Sequence, residues 1–357
     1  MKLNVGVIGL GVGLQHIATY LNHPDCNLIA ICDFDEEKLL ETATRLDSSI
    51  LTTTEPARLL NSPAINLVSI ASWDNFHAEQ IILGLQNKKH LFVEKPLCVS
   101  EDEALKIGTA LAKHRDLKIG TNLILRLSPR FLELKKKIVA GEMGDLISIE
   151  GDYNYGRLRK ILNGWRGQVE GYSGVLGGGI HVIDLMLWLT GRKVLEVAAF
   201  GGKVATHQSS FQNYDLVTAL LRFEGGLVGK MSVNLGCVYP HFHKFTLYGT
   251  KATFENNIES AYMYQQFDNN EGKLEINYDR DAIDLPHPGT QKGAYLEKFI
   301  ESVVNHTPLP INPKEIFDSL SVCFAIEKAA HTGKIELVRY NNNFDSTDQN
   351  NSLTLRK

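Results

Sequence analysis

The sequence predicts a two-part α/β architecture. A doubly wound parallel sheet comes first, followed by an α+β domain with a large, mostly antiparallel open sheet. Three observations predict it. Over residues 2–121, short apolar runs alternate with stretches of helical periodicity, the βαβ rhythm of a parallel sheet covered on both faces. Beyond about residue 122 the apolar runs lengthen and alternate with polar positions, as in strands with one face on a core. A length of 357 residues also exceeds what one hydrophobic core usually supports.

In the first part, strands are expected over 2–8, 27–32, 66–71, 90–93 and 118–121, and helices over 14–22, 36–46, 55–60, 77–86 and 101–114. A helix at 129–140 opens the second part. Strands should follow at 146–155, 194–205, 216–223, 227–235, 242–248, 252–255 and 273–278, with Glu224-Gly225-Gly226 as a hairpin turn. A helix at 313–332 and a strand at 334–338 end the folded region, and the polar, aperiodic 341–357 reads as a mobile tail. The expected division is 1–121, 122–340 and 341–357.

Hydrophobic residues make up 43% and charged residues 22%, ordinary for a water-exposed globular chain, and the net charge of -4 disfavours nucleic acid and anionic membranes as partners. Gln15 and His16 interrupt the apolar start, which argues against a signal peptide, and no apolar run would span a bilayer. Five scattered cysteines without a C-x-x-C pair fit reduced thiols in a cytoplasm.

VGVIGLGVGLQHIATYL places Gly9, Gly11 and Gly13 between the first strand and the first helix, where glycine lets a backbone approach a pyrophosphate at a helix N-terminus. The third glycine arrives one residue early for a G-x-G-x-x-G loop, leaving Leu14 in its place. Asp33 ends the second strand 24 positions after Gly9, where an acid would accept from the adenosine ribose hydroxyls and repel a 2′-phosphate, favouring NAD over NADP. The alternative for Asp33 is a simple turn cap. In HLFVEKPLCVS an apolar strand ends in Glu94, Lys95 and Pro96, charges that are costly to bury without a purpose. His181 and Asp184, three apart in GGGIHVIDLMLWLTG, can face together on a helix.

With the glycine loop, Asp33, ASWDNFH, VEKPL, GTN and GGGIHVIDLMLWLTG in that order, the chain resembles the glucose–fructose oxidoreductase / inositol dehydrogenase (Gfo/Idh/MocA) family out to about Val338. The resemblance implies an N-terminal Rossmann domain that binds NAD through Gly9, Gly11, Gly13, Leu14 and Asp33, with Ser72, Trp73, His77, Glu94, Lys95 and Asn122 contributing. It implies a second domain that supports a sugar-like substrate and builds a homodimer or homotetramer. By the same resemblance Lys95 reaches the reacting hydroxyl, where an ammonium favours the developing alkoxide, and Glu94 lies nearer the nicotinamide ribose. His181 falls on the catalytic position, where an imidazole takes or returns the hydroxyl proton. Lys95, Asn122, Arg157, Trp165, His181 and Asp184 are then the substrate-binding candidates.

The sequence departs from the family pattern twice. Relatives often carry Asp four residues before the histidine, and here that position is Gly177, so Asp184 or a tyrosine (Tyr153, Tyr155 or Tyr172) would have to substitute. ASWDNFH stands where T-P-N-x-x-H is common, which puts Trp73 against the nicotinamide region or makes it a loop anchor. Arg157, Arg159, Trp165 and Arg166 gather ahead of the glycine-rich segment, and arginines suit phosphate or carboxylate recognition. His241 and His243 share a strand face, but no third ligand has suitable spacing, so no metal is expected. The activity expected is NAD-dependent hydride transfer at a secondary hydroxyl or ketone of a sugar, cyclitol or sugar derivative. The alternatives are a nucleotide-sugar or ketosugar oxidoreductase of polysaccharide biosynthesis, and an NAD-binding regulator with impaired catalysis.

Overall fold

A computed structural model describes residues 2–266, 278–286 and 293–340. The chain forms two compact units. One comprises the described residues of Met1–Asn122 and Gln291–Asp318 with Tyr340; the other comprises those of Leu123–Thr290 and Ser319–Arg339.

Among the described residues, the first unit has six parallel strands: β1 (Leu3–Ile8), β2 (Cys26–Cys32), β3 (Leu51–Thr53), β4 (Leu67–Ile70), β5 (His90–Val93) and β6 (Ile119–Thr121). Their order is β3-β2-β1-β4-β5-β6. Helices α1 (Gly13–Asn22), α2 (Glu36–Ala43), α3 (Pro56–Asn61), α4 (His77–Gln86) and α5 (Glu101–Lys113) make the crossovers. Val5, Val7, Ile31, Leu67, Val68, Leu91 and Val93 are all fully buried, because helices cover both sheet faces. The order reverses between β1 and β4, the switch point at whose carboxyl edge open α/β sheets bind ligands.

Strand β3 carries no signal that the sequence reading used: LTT is short, and it pairs only with β2, at the sheet edge. Helix α9 (Ala294–Val304) belongs to this unit, although residues 122–340 read in sequence as one later domain. Its Phe299 ring lies 5.4 Å from that of Phe92, and a Cβ on Gly120 would come 2.7 Å from Phe299, so that glycine makes room for the returning helix.

The second unit is built on strands β7 (Leu146–Asn154), β8 (Val194–Gly202), β9 (Leu216–Phe223), β10 (Val228–Asn234), β11 (Phe242–Gly249), β12 (Ala252–Asn256), β13 (Ala261–Gln266), β14 (Tyr278–Ile283) and β15 (Glu336–Leu337). Their order is β14-β13-β12-β11-β7-β10-β9-β8-β15, antiparallel throughout the described residues except for the parallel pair β7–β10. Helices α6 (Pro129–Val139), α7 (Leu158–Leu162) and α8 (Ile180–Thr190) accompany it, and α10 (Pro313–Thr332) joins this unit from Ser319 onward.

One face of the sheet is the core: Val217, Ala219, Leu221, Met231 and Val233 are buried while Leu220 and Val228 are exposed. The turn between β9 and β10 is as expected, with Gly225 and Gly226 at positive φ. Strand β13 was not foreseen, although Ala261 and Met263 alternate inward in it. The strand expected at 273–278 lies outside the described residues except for Tyr278, as does the expected tail at 341–357. Among the described residues no helix is long and apolar enough to cross a membrane.

Candidate functional site

In the first unit five strand ends bring the predicted cofactor residues to one sheet edge. Gly9 follows β1 at φ 88°, and a Cβ there would lie 2.3 Å from the Ala71 carbonyl oxygen, so only glycine fits where the loops after β1 and β4 cross. Gly11 has nothing within 4 Å of where a Cβ would be, an open backbone approach. Gly13 starts α1, whose first turn receives no side-chain cap, leaving its N–H groups for an anion. Val12 and Leu14 are exposed beside it.

Asp33 follows β2 and is buried; its Oδ2 accepts from the Leu10 N–H at 2.6 Å and from the Lys38 ammonium at 3.2 Å, and its Oδ1 from the Asp35 N–H at 3.1 Å. The acid therefore braces the glycine loop and retains acceptor capacity on Oδ1. An uncapped helix start, an open glycine and a strand-end carboxylate together fit a dinucleotide.

Trp73 stands edge-on to the exposed ring of Phe34 at 5.3 Å, which places it near the Asp33 end of the edge. Ser72 donates to Gln80 at 2.8 Å. His77 is fully buried with Nδ1 2.7 Å from the Pro96 carbonyl oxygen and Nε2 3.1 Å from that of Ser72. The ring thus sits between the loop after β4 and the segment after β5.

Glu94 and Lys95 directly follow β5, and the Glu94 N–H extends the pairing to Ile70 at 2.8 Å. The Glu94 Oε1 lies 3.2 Å from His16 Nε2 and accepts from the Asn122 amide at 2.9 Å. Burial pushes this carboxyl up, but the His16 hydrogen bond and charge, the Lys95 charge and the Asn122 amide outweigh it and bring it down to about 2. Glu94 is therefore anionic beside Lys95. His16 was not singled out as a site residue, yet it sits on the buried face of α1 with Ile17 and Tyr20. A polar residue on that face is the signal that could have found it.

The second unit holds His181, buried on α8, in a cluster of rings. His243 of β11 lies 5.8 Å from it edge-on; Tyr153 of β7 is 5.3 Å from His243; His241 and Tyr155 complete the set. Among the described residues no group of three metal-binding side chains is present. Burial, followed by the nearby Tyr172 and Tyr155, pushes the Tyr153 phenol above its ordinary range, so it is neutral. Arg157 lies over the Tyr155 ring at 4.8 Å, and Arg166 over Trp165 at 4.5 Å. Arg159 is exposed.

Asp184, a candidate for the acid missing at Gly177, engages Arg126 and Ser319. It is fully buried and takes Arg126 Nε and Nη2 at 2.9 and 2.7 Å, with the Ser319 hydroxyl at 3.4 Å. This is a two-pronged ion pair, and Arg126 was missed as its partner although it follows the GTN motif by only four positions.

A model of an oxidoreductase family with an NAD-binding Rossmann fold matches residues 3–121, and a model of the GFO/IDH/MocA C-terminal domain matches 131–255. The 2,7-anhydro-N-acetylneuraminate hydratase of Escherichia coli is 24% identical over 315 residues, 84% of this chain and 83% of that protein. The myo-inositol 2-dehydrogenase of Thermotoga maritima is 26% identical over 267 residues, 72% and 77% of the two chains. Among solved structures, the myo-inositol 2-dehydrogenase from Lactobacillus plantarum matches with a TM-score of 0.79 at 17% identity, covering 95% of this chain and 100% of that one. A levoglucosan dehydrogenase in complex with NADH matches at 0.76 and 20% identity over 96% and 100%. With both halves matched in order, the chain belongs to the Gfo/Idh/MocA oxidoreductase family, and its first unit is that family's NAD-binding Rossmann fold.

Proposed function

We propose that the protein is an NAD-dependent dehydrogenase acting on a secondary hydroxyl, or on the matching ketone, of a sugar, cyclitol or sugar derivative. The observation that carries this is the strand edge where Gly9, Gly11, Asp33 and the Glu94–Lys95 pair meet, in a chain whose relatives include inositol dehydrogenases. Bound NAD+ accepts the hydride. Asp33 holds the ribose hydroxyls and the α1 N-terminus the pyrophosphate. Lys95 stabilises the negative charge that gathers on the substrate oxygen as its C–H bond breaks, and His181 takes the O–H proton. Glu94, fixed by His16 and Asn122, keeps Lys95 cationic and orients it.

Arg157 and Arg166, placed over Tyr155 and Trp165, favour a substrate with a carboxylate or phosphate, and a relative named for an anhydro-neuraminate accords with that. We also propose that the outer sheet face, with Phe200, Leu220, Val228 and Tyr248 exposed, assembles the chain into a homo-oligomer; a monomer in analytical ultracentrifugation would exclude this.

The test of the reaction is NADH formation with a panel of sugars and cyclitols, neutral and anionic, by the wild type and by Lys95→Met. A substrate in the panel should be oxidised, and the variant should lose on the order of 10²–10³ in kcat while binding NAD normally. Equal turnover by Lys95→Met would remove the lysine from the chemistry.

A further inference from the structure

Helix α8 lies close against the sheet, and glycine makes the room. A Cβ on Gly151 of β7 would come 2.3 Å from Val182, and one on Gly178 would come 2.1 Å from the Tyr153 ring. With no side chain at either position, α8 settles onto β7, whose neighbour in the sheet is β11. At that closeness a ring carried by the helix can meet a ring carried by the sheet. The two that meet are His181 and His243.

His243 is placed by its backbone. It stands opposite Tyr153 in the β7–β11 register, and the Asn256 amide donates to its carbonyl oxygen at 2.8 Å. Its buried ring has its centroid 5.8 Å from that of His181, also buried, with the planes 87° apart. Tyr153 lies 5.3 Å from it and the exposed His241 5.6 Å from it. Two imidazoles so near each other, with little water between, do not readily both carry a proton. At an effective dielectric constant of about 20, unit charges 5.8 Å apart lower the second protonation by roughly two pH units.

We propose that His243 is a positioning residue for His181: the two rings share one proton, and repulsion across the pair keeps His181 unprotonated to a lower pH than it would be alone. His181 thereby stays able to take a substrate proton. The pairing rests on the ring geometry, and only its role in turnover rests on the dehydrogenase reading. The other charged or titratable groups about the pair are Tyr153 and Tyr155 of β7, Tyr172, His241, Arg157 and Arg166, with the Arg126–Asp184 pair one turn along α8. Tyr153 is neutral, because burial raises its phenol. His243→Phe changes none of these and keeps a ring against His181, so what it removes is the charge.

The experiment titrates the His181 imidazole by NMR in full-length wild type and His243→Phe, without substrate. In the wild type the His181 signal should follow a spread, two-step curve, as coupled sites do. In the variant it should follow one step, with the midpoint raised by about one to two pH units. A single step with the same midpoint in both proteins overturns the inference, whatever the substrate panel shows. If His243→Phe does not fold, His243→Gln removes the same charge and is held to the same outcome. With a turned-over substrate, the acid limb of kcat/KM, which reports the base of the free enzyme, should move up with the NMR midpoint. Oxidation by the variant should therefore fall roughly 10-fold or more on the acid side and recover as pH rises. A loss equal at every pH would mark His243 as packing alone and overturn the inference as well. A raised midpoint in a protein that oxidises no panel member supports the His181–His243 pairing and counts against the dehydrogenase reading instead.

Discussion

Glu94 and Asp184 are both carboxylates held by a cationic or cation-capable partner, and the protein uses them in opposite ways. Glu94 stands at a sheet edge with 12% of its side chain exposed, accepts from an imidazole and an amide, and neighbours Lys95. Asp184 has no exposure and receives both arms of a guanidinium that is itself 6% exposed. We read one carboxylate as part of the proposed working surface and the other as a rivet. What separates them is solvent access and geometry, not residue type, so an Asp three residues after a suspected catalytic histidine says little until its partners are known.

The largest expected effect tests the rivet. Asp184→Asn leaves Arg126 buried opposite a neutral amide, and breaking a buried pair in this way costs about 3–5 kcal/mol. Urea denaturation should show that loss while kcat/KM per folded molecule stays near wild type. A stable Asp184→Asn protein with damaged turnover would instead return Asp184 to the substrate site and erase the contrast with Glu94.

The ring cluster is the next place to press. His181→Asn should lower kcat by about 10²-fold, the usual scale for a lost general base, with partial recovery at high pH as hydroxide takes the proton. Stability should change little, because the two Arg126–Asp184 hydrogen bonds stay in place. A flat pH dependence of the residual rate would mean that another group moves the proton.

How far each region could be read from sequence follows from how it is built. The cofactor edge is made of strand ends, so Gly9, Asp33 and Glu94 each stand at the close of an apolar run and announce themselves locally. His16 did not, because its partner lies 78 residues away. The ring cluster is assembled by sheet register: β7 pairs with β11 so that Tyr153 faces His243, a proximity no local pattern encodes. The departure at Gly177 was visible in the sequence, but what fills the space there was not. That Tyr172 rather than Tyr153 or Tyr155 fills the space depends on packing of a turn around Trp165. Helix α9 escaped for the same reason: Phe299 answers to Phe92 and Gly120, far away in the chain.

Glu94 supplies a test through pH. Its folded carboxyl titrates at about 2 against an ordinary 4.5, so the stability it contributes is complete above pH 4.5 and disappears as pH falls toward 2. At neutral pH, Glu94→Gln should be less stable than wild type by about 2 kcal/mol, an amount discounted for the partial exposure of the side chain. The two should converge in acid. If the gap between their denaturation midpoints stayed constant from pH 7 to about 2, the His16–Glu94 contact would be packing rather than charge.

The smallest effect concerns Asp33 and the cation beside it. In the proposed ribose site Asp33 would disfavour a 2′-phosphate by charge, yet Lys38, paired with it at 3.2 Å, has 38% of its side chain exposed. On the proposed ribose role, the two charges offset each other in the wild type and the buried acid, bonded to the glycine loop, decides for NAD. Asp33→Asn keeps the acceptor for the Leu10 N–H while leaving Lys38 uncompensated. Its NAD affinity should fall and its NADP affinity rise, each by about tenfold, the scale of one exposed charge interaction. Lys38→Ala added to Asp33→Asn should abolish the gain for NADP but not the loss for NAD. Calorimetric titration of both cofactors against the three proteins separates the two residues. Should Asp33→Asn gain nothing for NADP, Lys38 cannot reach the 2′ position and Asp33 excludes the phosphate by the space it fills.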